Sequence, residues 1–116
     1  MRVLVVEPNL LWGPRLAKTL QSEGYEPTVV NSPVEGEFEA AIVNLSTPGV
    51  DWPALIAGLH ARGLVILGHA GHKEKDLHSL GREAGCDLLA TNSEITNKLP
   101  ALMQRLSELR PGPVEL

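Results

Sequence analysis

Short apolar runs alternate with amphipathic stretches along most of the chain. The apolar runs are only four to six residues long and nearly continuous, which is typical of strands buried on both faces of a parallel sheet. Strands that alternate with helices predict an α/β fold with a doubly wound parallel sheet. The predicted strands cover residues 2–6, 25–30, 40–43, 64–67 and 87–90.

The first helix is predicted between a capping residue, Asn9, and a helix-terminating residue, Gly24. Between them, Leu10, Leu16 and Leu20 recur at roughly helical spacing, so we expect them on the buried side of this helix. Pro14 falls inside the predicted helix and either kinks its first turns or delays its start to about Gly13. Glycine after the last helical residue is the usual C-terminal signal because it readily adopts a left-handed conformation.

The later helices are predicted from the same kind of pattern. A helix at 52–61 has Asp51 as its N-cap and a proline in its first turn, which is the position where a helix accepts proline. Further helices are expected at 73–84 and 97–110. With 116 residues, the chain has about the usual length of one domain, so we expect a single domain at 1–110 and a short C-terminal tail at 111–116.

The link between the second and third strands is unusually short. Only nine residues, 31–39, lie between these strands, and they include Pro33 and Gly36. A parallel crossover that contains a helix needs about a dozen residues or more, so we expect an extended connection that leaves part of one sheet face uncovered. Either Val34 and Phe38 fold over that face, or the apolar patch is a docking or dimer surface. We expect Phe38 to be buried in both cases.

Composition excludes several classes of function. The net charge is −4 and the ten basic residues form no run, so direct nucleic-acid binding is not expected. The longest apolar run is too short to cross a membrane, and no signal-like segment begins the chain, which favours a soluble cytoplasmic protein. The single cysteine, Cys86, excludes an intramolecular disulfide and is expected to be a packed, unreactive thiol.

The segment 44–51 resembles a loop of a known family. It reads Asn-Leu-Ser-Thr-Pro-Gly-Val-Asp, and the loop after the third strand of response-regulator receiver domains reads Asp-Leu-x-x-Pro-x-x-Asp or Gly. The first Asp of that loop accepts a phosphoryl group. Here Asn44 stands in its place, and an amide oxygen cannot form an acyl phosphate.

Three more segments resemble the same family in the same order. Residues 4–9 read Leu-Val-Val-Glu-Pro-Asn and are similar to the first strand and acidic pocket, with Glu7 as a remaining acid and Pro8 in place of the second acid. Residues 65–70 resemble the fourth strand, with His69 where the family has its switch Ser or Thr.

The last similar segment is 83–93, which resembles the family's Ala-Gly-Ala-Asp-x-Tyr-x-x-Lys-Pro. Asn92 then stands at the invariant Lys, Ser93 at the cis-proline, and Leu89 at the aromatic switch residue. The resemblance implies a flavodoxin-like receiver fold, a five-stranded sheet in the order 2-1-3-4-5 with the second helix shortened or absent.

In such a sheet the carboxyl ends of the strands form the ligand crevice, so Glu7, Asn44, His69 and Asn92 should meet there. Magnesium needs several oxygen ligands, and the crevice offers one carboxylate, so we expect neither a metal nor any other cofactor. His69 and His72 are interpreted as surface or pocket-lining imidazoles rather than as metal ligands.

The resemblance therefore favours a stand-alone pseudo-receiver, a protein-interaction module in signal transduction that works without phosphorylation. Its partner would be a protein, or a second copy of the chain. The family's usual partner face maps onto 73–84, 87–90 and 97–110, with Leu89 as a candidate contact. Phe38 and Val34 are further candidate contacts at the patch left by the short crossover. The alternative is a small-molecule binder that uses the emptied crevice. No nucleophile with an oriented base is visible, so an enzyme is not expected.

Overall fold

The structure is a computed structural model that describes residues 1–110, and the predicted tail at 111–116 lies outside the described residues. Five parallel strands form one sheet in the order β2-β1-β3-β4-β5, which confirms the predicted fold class and strand order. The strands are β1 (Arg2–Val6), β2 (Glu26–Val30), β3 (Ala40–Asn44), β4 (Val65–Ala70) and β5 (Leu88–Thr91).

Five helices accompany the sheet in the described part of the chain. They are α1 (Trp12–Ser22), α2 (Trp52–Ala61), α3 (Lys75–Ala84), α4 (Asn92–Asn97) and α5 (Leu99–Glu108). Asp51 caps α2 as predicted, since its side chain accepts a hydrogen bond from the N–H of Ala54 at 3.2 Å. None of the helices in residues 1–110 is long and apolar enough to cross a membrane.

The two faces of the sheet carry separate hydrophobic clusters. On one face, side chains of β1, β3 and β4 pack against α1, α4 and α5, with Leu16, Ile95 and Met103 fully or almost fully buried. On the other face they pack against α2 and α3, with Trp52 and Ile56 from α2. Alternating side chains of the central strands therefore supply both clusters, as expected for a sheet covered on both sides.

No helix forms between β2 and β3, which confirms the prediction for residues 31–39. Phe38 covers this part of the sheet instead of a helix, since it is 9% exposed and belongs to the cluster beneath α2. The guanidinium of Arg2 lies 5.0 Å from the centre of its ring. Arg62, at the end of α2, donates hydrogen bonds to the carbonyls of Val34 (2.9 Å) and Gly36 (3.1 Å) and so holds the segment in place.

The structure corrects two details of these predictions. Val34 is 42% exposed, so Phe38 covers the sheet without it. Leu10 is 87% exposed and precedes α1, because Asn9 accepts from the N–H groups of Leu11 and Trp12 and the helix begins only at Trp12, close to the later of the two predicted starts.

The final helix was predicted at 97–110, and α5 (Leu99–Glu108) confirms it to within two residues at each end. A separate short helix, α4, precedes it and was not predicted. A capping box starts α4 at Thr91: the Thr91 side chain accepts from the N–H of Glu94, and the Glu94 carboxylate accepts from the N–H of Thr91. Asn92 and Ser93 are therefore helical, and residues 1–110 contain no cis peptide bond.

Candidate functional site

The carboxyl ends of β1, β3 and β4 bring the predicted site residues together. Glu7 follows β1 directly, Asn44 ends β3, and His69 pairs with Asn44 across the β3–β4 register. Asn92 follows β5 as the first residue of α4. These four side chains are in contact, whereas Pro8 is exposed beside them. We call Glu7, Asn44, His69 and Asn92 the strand-end network.

The buried carboxylate of Glu7 is satisfied by donors from the protein. The Asn44 amide nitrogen donates to both of its oxygens, at 3.0 and 3.1 Å, and the N–H of Asn9 lies 3.3 Å from one of them. The amide oxygen of Asn44 accepts from the N–H of Ser46 at 3.0 Å. Asn44 is thus used as a donor towards Glu7, a role that an ionised aspartate cannot fill because it has no N–H.

His69 is fully buried and connects the two sides of the network. Its Nδ1 lies 2.9 Å from Oδ1 of Asn92, which requires that Nδ1 carries a proton. In the neutral ring, Nε2 then has a free lone pair, and this atom has no hydrogen-bond partner. It lies 3.8 Å from a Glu7 oxygen, too far for a hydrogen bond.

Burial lowers the pKa of His69 below its usual value, because a charged imidazolium is poorly solvated inside the protein. The hydrogen bond to Asn92 and the negative charge of Glu7 act in the opposite direction but are the weaker effects. The neutral imidazole is therefore the form favoured near neutral pH.

Trp12 completes this site and was not among the predicted site residues. Its ring stacks on the His69 ring with centroids 5.5 Å apart and planes 10° from parallel. The only signal was its position, since a bulky aromatic residue soon after a strand end is well placed to cover the crevice. Trp12 closes the network on the side of α1.

Glu74 is a second residue that the sequence did not single out. Its Oε1 accepts hydrogen bonds from the Ser46 hydroxyl at 2.7 Å and from the N–H of Gly71 at 2.8 Å. These bonds lower the pKa of Glu74, the Ser46 bond most of all. They tie the loop after β3 to the loop after β4, so both loops beside Asn44 are held in one arrangement.

No metal centre is assembled in residues 1–110: no group of three His, Cys, Asp or Glu side chains is placed to hold an ion. His69 is buried while His72 is exposed. Cys86 is partly buried, and desolvation raises its pKa to about 12, so little reactive thiolate is present at neutral pH.

Several solved structures with the same architecture are described as receiver domains. The chain matches the receiver domain of the TMAO respiratory system response regulator TorR with a TM-score of 0.77 and 21% identity, covering 93% of this chain and 94% of that one. For a CheY-like receiver domain protein from Methanospirillum hungatei, the TM-score is 0.75 at 18% identity, covering 92% and 94% of the two chains.

A third match is the non-phosphorylated HemR receiver domain from Leptospira biflexa, with a TM-score of 0.71 and 16% identity over 99% of this chain and 98% of that one. The chain has the receiver-domain fold. No protein-family model matches the sequence, and no curated protein is detectably similar to it. The likeness is therefore one of backbone architecture.

Within the receiver fold, the strand-end network occupies the crevice where the resemblance places phosphoacceptor chemistry. Asn44 lies at the end of the central strand, and Asn92 begins a helix next to β5. Leu89 is partly buried and packs into the cluster beneath α3, where it lies close to Gly68 and Gly81. A Cβ at Gly81 would approach Leu89 to 2.9 Å, so α3 and β5 are in tight contact there.

Proposed function

We propose that this protein is a pseudo-receiver, a protein-interaction module of signal transduction that works without phosphorylation. One observation carries the proposal: the Asn44 amide donates to both oxygens of Glu7. The residue at the acceptor position is thus engaged with the one acid that would otherwise help to bind Mg²⁺. Neither group is free for phosphoryl chemistry, and within residues 1–110 no group of three His, Cys, Asp or Glu side chains is placed to hold a metal ion beside them.

The arrangement also supports a single state of the module. In a switching receiver, a small hydroxyl and an aromatic side chain change position when the acceptor is phosphorylated. Here the bulky His69 is buried between Trp12 and Asn92, and Leu89 packs inward. The partner face that we propose comprises α3, β5 and α5, and its partner would be another protein in the cytoplasm or a second copy of the chain.

The first experiment is treatment with acetyl phosphate and Mg²⁺ followed by intact-mass measurement, with an active receiver domain as the positive control. We expect no mass increase, and none for Asn44→Asp either, because Pro8 and Asn92 leave the second acid and the lysine positions unfilled. A mass gain of one phosphoryl group that disappears in Asn44→Ala would contradict the proposal.

The second experiment tests the interaction face. Arg82 is exposed on α3, within the proposed partner face. Glu23 is exposed at the C-terminal end of α1, outside that face. Proteins that the immobilised wild type captures from a cell lysate should not bind Arg82→Glu but should still bind Glu23→Lys and Asn44→Ala. Equal binding to all variants would show that the partner face lies elsewhere.

A small-molecule binder using the emptied crevice is the less favoured function. Asn44, His69 and Asn92, which would have to hold the ligand, bond to groups of the protein instead. If native mass spectrometry of the purified protein showed a bound ligand that His69→Phe releases, this alternative would replace the first.

A further inference from the structure

A groove outside the strand-end network lies between α1 and α4. Its volume is about 280 Å³, which is slightly below the usual range for ligand pockets, about 300–1,000 Å³, and suits a ligand of one or two rings. Leu16 and Ile95 are buried and form its apolar base. The groove is lined by Trp12, Arg15, Leu16, Lys18, Thr19, Ile95 and Thr96.

Two cations stand beside this apolar base. Arg15 and Lys18 are three residues apart on α1, so their side chains project from the same side of the helix. Within residues 1–110, no carboxylate lies within 4.0 Å of either of them. The whole chain is acidic, with a net charge of −4, so this positive patch is a local feature. It favours an anionic group, and the planar guanidinium of Arg15 suits a carboxylate or phosphate.

The wall formed by Trp12 is held rigidly. One face of its indole stacks on the buried ring of His69, which fixes the orientation of the side chain. A planar ring in the groove can contact the remaining surface of the indole without first ordering it. Pre-organised aromatic walls of this kind favour binding because little conformational entropy is lost.

The opposite wall is tied to the same histidine. His69 donates to Asn92, the first residue of α4, and α4 carries Ile95 and Thr96 into the groove. The hydroxyl of Thr96 in turn donates to the carbonyl of Asn92 at 2.9 Å. His69 therefore positions both walls, Trp12 directly and α4 through Asn92.

We infer that this groove binds a small planar aromatic anion. Its ring would pack against Trp12 over Leu16 and Ile95, and its carboxylate or phosphate would be held by Arg15 and Lys18. This site differs from the phosphoacceptor crevice, and ligand binding there is independent of whether the protein can be phosphorylated.

The test compares charged and uncharged ligands of matched ring structure by titration calorimetry at low salt. The two pairs are AMP with adenosine, for a phosphate, and 2-naphthoate with 2-naphthol, for a carboxylate. We expect the anion of at least one pair to bind at least about tenfold more tightly than its neutral counterpart, since a charge-assisted hydrogen bond is worth that much. The pair with the larger ratio identifies the anionic group.

Variants then locate the site. Arg15→Gln/Lys18→Gln should remove the preference for the anion, whereas Lys73→Gln/Lys75→Gln removes the same charge from a distant surface and should leave affinity within about twofold. Trp12→Leu should weaken the binding of both members of a pair. Because Trp12 also supports His69, circular dichroism must show that Trp12→Leu folds. If it does not fold, the affinities of Arg15→Gln/Lys18→Gln, which changes only exposed side chains, test the inference.

Two kinds of result would overturn the inference. One is equal affinity for the anion and its neutral counterpart in both pairs, or unchanged affinity in Arg15→Gln/Lys18→Gln. The other is occupation by a second copy: dimerisation measured by sedimentation that Arg15→Gln/Lys18→Gln abolishes, with no ligand binding to the monomer.

Discussion

The strand-end network and the segment 31–39 solve two different problems of burial. The network lies at the strand ends of a receiver-like backbone and must satisfy buried polar groups. The segment 31–39 contains no helix and must cover an apolar face of the sheet. At the first place, Glu7 and Asn44 satisfy each other by hydrogen bonds. At the second, Phe38 covers the sheet, and Arg62 holds the segment by its carbonyls.

The difference shows which requirements the fold imposes at each place. A buried polar group needs a partner of complementary hydrogen-bonding type, whatever its chemical identity. An apolar sheet face needs to be shielded from water, and one well-placed aromatic ring can replace part of a helix for that purpose. The hydrogen-bonding needs of the strand-end network and the packing needs of the sheet face are thus met by separate residues.

The largest effect is expected where polar complementarity is reversed. Asn44→Asp replaces a donor with a second carboxylate about 3.0 Å from Glu7, and should lower the free energy of unfolding at pH 7 by about 4 kcal/mol. Urea unfolding measures this loss. In Glu7→Gln/Asn44→Asp, donor and acceptor are exchanged, so most of the stability should return. Equal stability of the single variant and the wild type would show that the network is not a donor–acceptor pair.

Removing the aromatic cover should cost slightly less. Phe38→Ala leaves a cavity beneath residues 31–39 and removes the contact with Arg2, so we expect a loss of about 3 kcal/mol. Val34→Ala, in the same segment but at an exposed side chain, is the matched control and should stay within about 0.5 kcal/mol. Similar losses for the two variants would mean that Phe38 does not shield the sheet.

The network should also make stability depend on pH, through His69. Its pKa is lowered on folding, so below about pH 6.5 the unfolded chain binds more protons than the native state, and the free energy of unfolding decreases as the pH is lowered. The contribution is complete above pH 6.5 and is lost as pH falls towards the folded pKa, by at most about 1.4 kcal/mol per pH unit. Unfolding free energies of wild type and His69→Phe between pH 7.5 and 5.5 should diverge; parallel curves would contradict this.

The smallest effect is expected for the hydrogen bonds by which Arg62 holds the segment 31–39. Arg62→Gln removes two hydrogen bonds to carbonyls of an exposed segment, which should lower stability by about 1 kcal/mol. Hydrogen exchange of residues 31–39 should become faster, while exchange of β3 should not. If the losses of unfolding free energy in Arg62→Gln and Phe38→Ala were additive in a double-mutant cycle, the Arg62 hydrogen bonds would not be what positions Phe38.

Much of the fold followed from local signals in the sequence. Apolar runs, capping residues and glycine positions predicted five strands, the bounds of α2 and the missing helix, because these depend on residues close together in the chain. Helix α4 was missed, although the Thr91–Glu94 capping box that starts it is a signal of the local sequence. Leu10 was misplaced because Asn9 caps a turn before the helix begins.

The sequence by itself determined which chemical groups stand at the strand ends, because parallel strands bring their carboxyl ends to one edge whatever the details of packing. Only the tertiary structure decided how those groups pair: that Asn44 donates to Glu7, that His69 bonds to Asn92, and that Trp12 covers His69. Hydrogen bonds and ring stacking depend on ångström-scale distances between residues far apart in the chain, and spacing along the sequence does not encode them.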